Sequence, residues 1–164
     1  MVKHNMLLYF IEHLIFKRQT QTANGKDTKF KHMCVIVTKK GEPLSYGYNV
    51  YDSKNEITEH AEEMALRLVI ENRQRIYNKR KPLYLIVART NGCNSKPCAR
   101  CLELIEKHLH LINIKQIYYT HENEQDGIKM DKLKTLIMGE KFISSYSRFL
   151  TKQNKMKNEI KNKK

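Results

Sequence analysis

Apolar positions recur along this chain with two periods, and the periods outline its elements. Leu7, Phe10, Ile11, Leu14 and Ile15 fall at i, i+3, i+4, i+7 and i+8, which is one face of an α-helix. A polar stretch from Gln19 to Thr28, broken by Gly25, ends it. Phe30–Thr38 is rich in β-branched residues and reads as a strand. Lys39-Lys40-Gly41-Glu42-Pro43 then makes a turn. Leu44, Tyr46, Tyr48 and Val50 alternate with Ser45, Gly47 and Asn49, so a second strand returns antiparallel to the first. A polar loop, Asp52 to Thr58, leads to a second helical face built from Ala61, Met64, Ala65, Leu68 and Val69. Pro82 stops that segment, and the cations Arg73, Arg75, Lys79, Arg80 and Lys81 suit the negative end of its dipole.

Leu83–Ala88 is an unbroken apolar run, as expected of a strand covered on both faces. After a loop from Asn91 to Lys96, Cys98, Cys101, Leu102, Ile105 and Leu109 mark a third helix. Lys115–Thr120 is a fourth strand. Asp126-Gly127 signals a hairpin turn, so Ile128–Met130 is expected as a short antiparallel fifth strand. Asp131–Met138 and Ser145–Leu150 read as short helices. Helices thus alternate with strands in the order α-β-β-α-β-α-β, followed by a strand and a helix. That order predicts an α/β domain, a three-layer α/β/α sandwich around a central mixed five-stranded sheet. The crossovers from strand two to three and from three to four each contain a helix, so those pairs can be parallel.

Length changes this picture little. The 164 residues suit one domain over 1–150, with a Lys-rich tail, 151–164, expected to be disordered. The longest apolar runs, such as Met6–Ile11, are far too short for a membrane span. Glu12 and His13 interrupt the apolar start, and no small-residue cleavage site follows, so no signal peptide is expected. Four Cys including a C-x-x-C point to metal or redox chemistry in a reducing, intracellular compartment rather than to disulfides. The net charge of +14 implies an acidic partner, nucleic acid or nucleotide first. A compositional source is equally open: 23 of the 31 basic residues are Lys, and the tail alone contributes six Lys against one Glu.

The chemistry is concentrated in two short motifs, His60-Ala61-Glu62 and Pro97-Cys98-Ala99-Arg100-Cys101, with 35 residues between Glu62 and Cys98. One His and two Cys fill three of the four tetrahedral positions of zinc and leave the fourth for water, as in a catalytic site. Both motifs open predicted helices, where the dipole stabilises thiolates. Glu62, two residues from the His, can move protons to and from that water. The H-x-E…P-C-x-x-C pattern resembles the cytidine/deoxycytidylate deaminase superfamily over roughly residues 30–120.

The resemblance implies a Zn2+ cofactor on His60, Cys98 and Cys101, with Glu62 as the proton shuttle of hydrolytic deamination. Gly47-Tyr48-Asn49 resembles the family's G-x-N, which implies that Asn49 contacts the substrate sugar or base. Ala61 falls where a backbone N–H meets the base carbonyl. The expected partner is a nucleobase-containing small molecule or single-stranded nucleic acid, with a cytosine-type base first. The resemblance leaves a homo-oligomer open, and the alternative is a non-catalytic nucleic-acid-binding protein that keeps the zinc site. The chain also departs from the pattern. Arg89–Lys96 is a longer, basic loop ahead of P-C-x-x-C, and neither the Gly nor the Arg-Gln pair of nucleoside deaminases follows, since Ala99 and Leu102-Glu103 stand there.

Other candidates remain secondary. Cys93, Cys98, Cys101 and His108 would make a one-segment metal site, but His108 lies seven residues past Cys101, a helical rise of roughly 10 Å. Cys34 reads as core. His4, His13, His32, His108, His110 and His121 lack partner spacing and read as surface or core. Tyr46, Tyr48 and Tyr51 are strand tyrosines that pack or stack a base.

Overall fold

The computed structural model describes residues 4–22, 32–52, 57–72, 81–89, 93–125 and 127–138. The elements are α1 (His4–Thr22), β1 (His32–Thr38), β2 (Pro43–Tyr48), β3 (Val50–Asp52), β4 (Ile57–Glu59), α2 (Ala61–Glu71), β5 (Leu83–Arg89), α3 (Ala99–Lys107), β6 (Ile114–Thr120), β7 (Ile128–Lys132) and α4 (Leu133–Met138). The expected helix at Ser145–Leu150, the 151–164 tail and the cations Arg73, Arg75, Lys79 and Arg80 lie outside the described residues.

Five strands form one mixed sheet in the order β2-β1-β5-β6-β7. Only β5 and β6 are parallel; β1 pairs antiparallel with both β2 and β5, and β7 antiparallel with β6. The expected antiparallel fifth strand is present, and Gly127 at φ +69° makes the turn that delivers it. Both helical crossovers join strands that run the same way. The second and third strands of this sheet, β2 and β5, run the same way but do not pair, because β1 lies between them. The burial pattern gives the reason. Met33–Val37 is buried on both faces and belongs inside the sheet, whereas β2 alternates and opens on Pro43, which suits an edge.

The three layers follow from the period of two. Met33, Val35 and Val37 of β1 and Tyr84, Ile86 and Ala88 of β5 pack against Leu7, Phe10, Ile11 and Leu14 of α1. Cys34, Ile36, Leu85 and Val87 point the other way, into a core shared with α2, α3 and α4. Tyr46 and Tyr48 of β2 pack on the α1 side, away from His60, Cys98 and Cys101, whereas Tyr51 of β3 is 52% exposed.

Two helical faces differ from expectation. In α2 the buried residues are Ala61, Glu62, Ala65, Leu66 and Val69, so the inward stripe carries Glu62 and Leu66 while Met64 and Leu68 are only half-buried. In α3 the helix ends at Lys107, so Leu109 falls in the following turn and is 38% exposed.

The expected polar loop at Asp52 to Thr58 also contains structure. β3 and β4 pair antiparallel, Val50 with Glu59, as a small second sheet. Because Val50 faces Glu59, this hairpin brings its flanking residues, Asn49 and His60, to the same place. Arg67 of α2 bonds Glu59 at 3.1 and 3.3 Å and ties the hairpin to the helix.

Candidate metal centre

His60 and Cys98 are the N-cap residues of α2 and α3, both in extended backbone conformation. Capping positions leave first-turn amides without helical partners, and the chain supplies one partner from the motif itself. Glu63 reaches back and accepts the His60 N–H at 2.8 Å, the return arm of a capping box. The same carboxylate is clamped by Arg100, with Nε–Oε1 at 2.7 Å and Nη2–Oε2 at 3.0 Å. Arg100 sits between the two cysteines, so one forked ion pair joins the starts of both motif-bearing helices.

Two close approaches seat α2 over the sheet. Any Cβ on Gly47 would overlap the Ala61 carbonyl oxygen, so only glycine lets β2 pass beneath the first turn of α2. The Cys34 thiol donates to that same carbonyl at 2.9 Å, and Ser45 Oγ donates to Ala65 O at 2.8 Å. Cys34 is core, as expected; burial pushes its thiol pKa well up and keeps it neutral.

The loop before Cys98 is pinned by buried hydroxyls. Ser95 Oγ donates to Val87 O at 2.9 Å and accepts the Thr120 N–H at 2.9 Å, while Thr120 Oγ1 donates to Cys93 O at 2.9 Å. The Ser95 N–H donates to Thr120 O at 2.9 Å. Of the long loop only Thr90, Asn91 and Gly92 lie outside the described residues.

The three expected ligands meet. His60 Nδ1 lies 3.5 Å from Cys98 Sγ and 3.3 Å from Cys101 Sγ, and the two sulfurs are 3.7 Å apart. A tetrahedral zinc with Zn–S of about 2.3 Å and Zn–N of about 2.0–2.1 Å requires S···S near ~3.8 Å and S···N near ~3.5 Å. The donor set therefore fits zinc in both chemistry and spacing. Among the described residues it is also the one His/Cys/Asp/Glu group close enough to share a metal ion. The one-segment alternative does not form: His108 Nδ1 is engaged with Leu104 O at 2.8 Å, at the far end of α3.

Electrostatics match a site built for a cation. The hydrogen bond with Cys101, helped by His60, lowers the Cys98 thiol to about 4, while the Cys101 thiol is driven well up by sharing that bond and by burial. Bonding to Cys98 raises the His60 imidazole. Glu62 is 4% exposed, its Oε2 has no hydrogen-bond partner, and burial pushes its carboxyl up to about 7 against the pull of backbone hydrogen bonding and His60.

Asn49 is buried at the end of β2 with an unpartnered Oδ1, and Ala61 opens α2 with a first-turn N–H. One neighbour was not anticipated. The imidazole of His32 is held down to about 4 by burial first, then by the charges of Arg89 and His60, and Cys98 also acts on it. The signal was present in the pairing pattern, since Asn49 and His32 stand opposite each other once the first two strands form a hairpin.

A family model described as the cytidine and deoxycytidylate deaminase zinc-binding region matches residues 9–121. Among solved structures, a cytidine deaminase from Burkholderia pseudomallei aligns over 86% of this chain and 100% of its own, at 14% identity and a TM-score of 0.54. A mutant cytidine deaminase from Mycobacterium tuberculosis aligns over 74% of this chain and 90% of its own, at 18% identity and 0.47. The enzyme from Mycobacterium leprae aligns over 78% and 97%, at 16% identity and 0.47. No curated protein matches the sequence.

Proposed function

We propose that this chain is a zinc-dependent hydrolytic deaminase, and the premise is membership: the chain belongs to the cytidine and deoxycytidylate deaminase family. The observation that carries the proposal is the spacing of His60 Nδ1, Cys98 Sγ and Cys101 Sγ, three donors among the described residues, beside the buried and unpartnered Oε2 of Glu62. Zinc, when bound, supplies a Lewis acid that makes water a nucleophile near neutral pH.

The chain's own residues do the rest. His60 Nδ1 and the two thiolates hold the metal, and Glu63 with Arg100 keeps the two helix starts in register. Glu62 takes a proton from water at Oε2 and delivers it to the ring nitrogen of the base. The water oxygen bonds to the amine-bearing carbon, the carbon–nitrogen bond breaks, and Glu62 delivers the second proton to the nitrogen that leaves as ammonia. Its burial pushes the carboxyl up and so favours the protonated form that delivers a proton to the substrate. Asn49 and the Ala61 N–H hold the substrate. A cytosine-type base is proposed first, because the family whose model matches is that of cytidine and deoxycytidylate deaminases. The charge of +14 makes single-stranded nucleic acid the alternative to a free nucleoside or nucleotide.

The test is ammonia release by zinc-loaded protein from bases, nucleosides, nucleotides and single-stranded oligonucleotides of cytosine, adenine and guanine. We expect release from a cytosine compound, and a loss of about 10²–10⁴-fold in Glu62→Ala with zinc content retained. Release that survives Glu62→Ala, or none from any compound with zinc bound, contradicts the proposal. The second outcome, with oligonucleotide binding intact, would favour the binding role.

A further inference from the structure

Two residues that the motif spacing leaves open sit at the metal centre. Glu63 follows His60-Ala61-Glu62 directly, and Arg100 stands between Cys98 and Cys101. Their side chains form a fork, Nε–Oε1 at 2.7 Å and Nη2–Oε2 at 3.0 Å, and Glu63 Oε2 also accepts the His60 N–H at 2.8 Å. Both carboxylate oxygens are thereby engaged, so Glu63 is not a fourth donor. A line of bonds runs from the backbone of one ligand residue, through Glu63 and Arg100, to the residue between the other two. It spans the same gap as a metal held by His60 Nδ1, Cys98 Sγ and Cys101 Sγ.

This pair differs from the other ion pairs among the described residues. In those, both side chains are about a third or more exposed, and solvent and salt screen them. Glu63 is 11% exposed and its bonding to Arg100 is bidentate, so this pair is held more firmly. Its cation also stands where a helix disfavours one. Arg100 lies in the first turn of α3, at the positive end of the dipole, and that turn has no acidic residue of its own. The compensating charge comes from the first turn of α2, where a carboxylate is favoured. The bond therefore serves the contact between the helices rather than either helix alone. That contact is thin nearby. A groove of about 370 Å³ lies between α2 and α3, lined by Leu66, Ile70 and Leu104, with Glu63 and Arg100 at the end nearest the metal donors.

We infer that Glu63 and Arg100 are positioning residues for the metal: their ion pair brings His60 and the two cysteines to metal spacing before the metal arrives, and so sets how tightly and how long the site holds zinc. This rests on the zinc site described above and not on turnover. His60 caps α2, while Cys98 and Cys101 belong to the start of α3. A metal meeting separated helix starts would have to draw them together, and that ordering would weaken its binding. A bond that orders them beforehand removes the penalty. Residues that orient metal ligands without touching the metal change affinity by about 10–100-fold.

The test is zinc affinity by competition with a chromophoric chelator, and zinc release into excess chelator, on the full chain carrying Glu63→Gln, Arg100→Gln, Arg100→Lys or both glutamines. Glutamine at position 63 still accepts the His60 N–H, so that variant breaks the ion pair and keeps the helix cap. Each single glutamine variant is expected to weaken zinc binding about tenfold or more and to speed release. The double variant should be no weaker than either single one, and Arg100→Lys, which keeps the charge and loses the fork, should fall between. A merely structural pair would lower the melting temperature of metal-free and zinc-loaded protein alike and leave zinc affinity within about twofold. That result overturns the inference, as do losses that add in the double variant. Zinc binding that weakens in the variants, in a chain that releases ammonia from no compound, contradicts the proposed function and leaves this inference standing. Unchanged zinc affinity alongside ammonia release does the reverse.

Discussion

Glu62 and His32 both carry buried unpartnered atoms, and burial moves them in opposite senses, raising the acid and lowering the base. For His32 the folded value is about 4 against an ordinary 6.5. Between those values the unfolded chain binds the proton and the folded chain does not, so stability rises with pH through that window. The contribution is present above about pH 6.5 and is lost as pH falls toward 4, with an upper bound of about 3 kcal/mol. Metal-free protein should therefore lose melting temperature between pH 6.5 and 4 more steeply than His32→Gln, which has nothing to titrate there. Parallel curves would mean that His32 is solvated. At this scale the candidate metal ligands and Glu62 were legible because spacing and residue type are local properties of the string. The place of His32 was not, because it comes from the neighbouring strands: pairing sets a lone histidine opposite Asn49 and Arg89.

The elements convert two distant motifs into one site. β2 and α2 touch where Gly47 passes under Ala61, and the same turn of α2 presents Glu62 inward. Gly47→Ala should push α2 off the sheet, lowering stability by about 2–4 kcal/mol in denaturant unfolding and weakening zinc binding. A loss below about 0.5 kcal/mol would show that α2 does not seat on β2 as described. Periodicity identified α1, the hairpin, β5 and β6, because each has a run long enough to show its period. It mis-set the inward face of α2, since a buried carboxylate breaks the rule that polar residues face water, and a catalytic pocket is where that rule fails. The β3–β4 hairpin escaped notice because its strands span three residues each, too few to display an alternation.

For the molecule, the sheet order puts the doubly buried β1 and β5 in the middle and the half-polar β2 and β7 at the edges. The histidine motif follows the small β3–β4 sheet and the cysteine motif follows β5; the two meet on the α2/α3 face of the large sheet, while α1 covers the other face. No helix among the described residues is long and apolar enough to cross a membrane. Layering and class were readable from element order alone. Strand order was not, because which strand lies inside depends on burial of both its faces, a whole-molecule property. The central claim is an open zinc site of one nitrogen and two sulfurs. X-ray absorption at the zinc edge of the loaded protein reads it directly. The account predicts two sulfurs at about 2.3 Å, one imidazole nitrogen at about 2.0–2.1 Å and one further light-atom ligand. A third sulfur, from Cys93 or Cys34, would close the site and contradict the account.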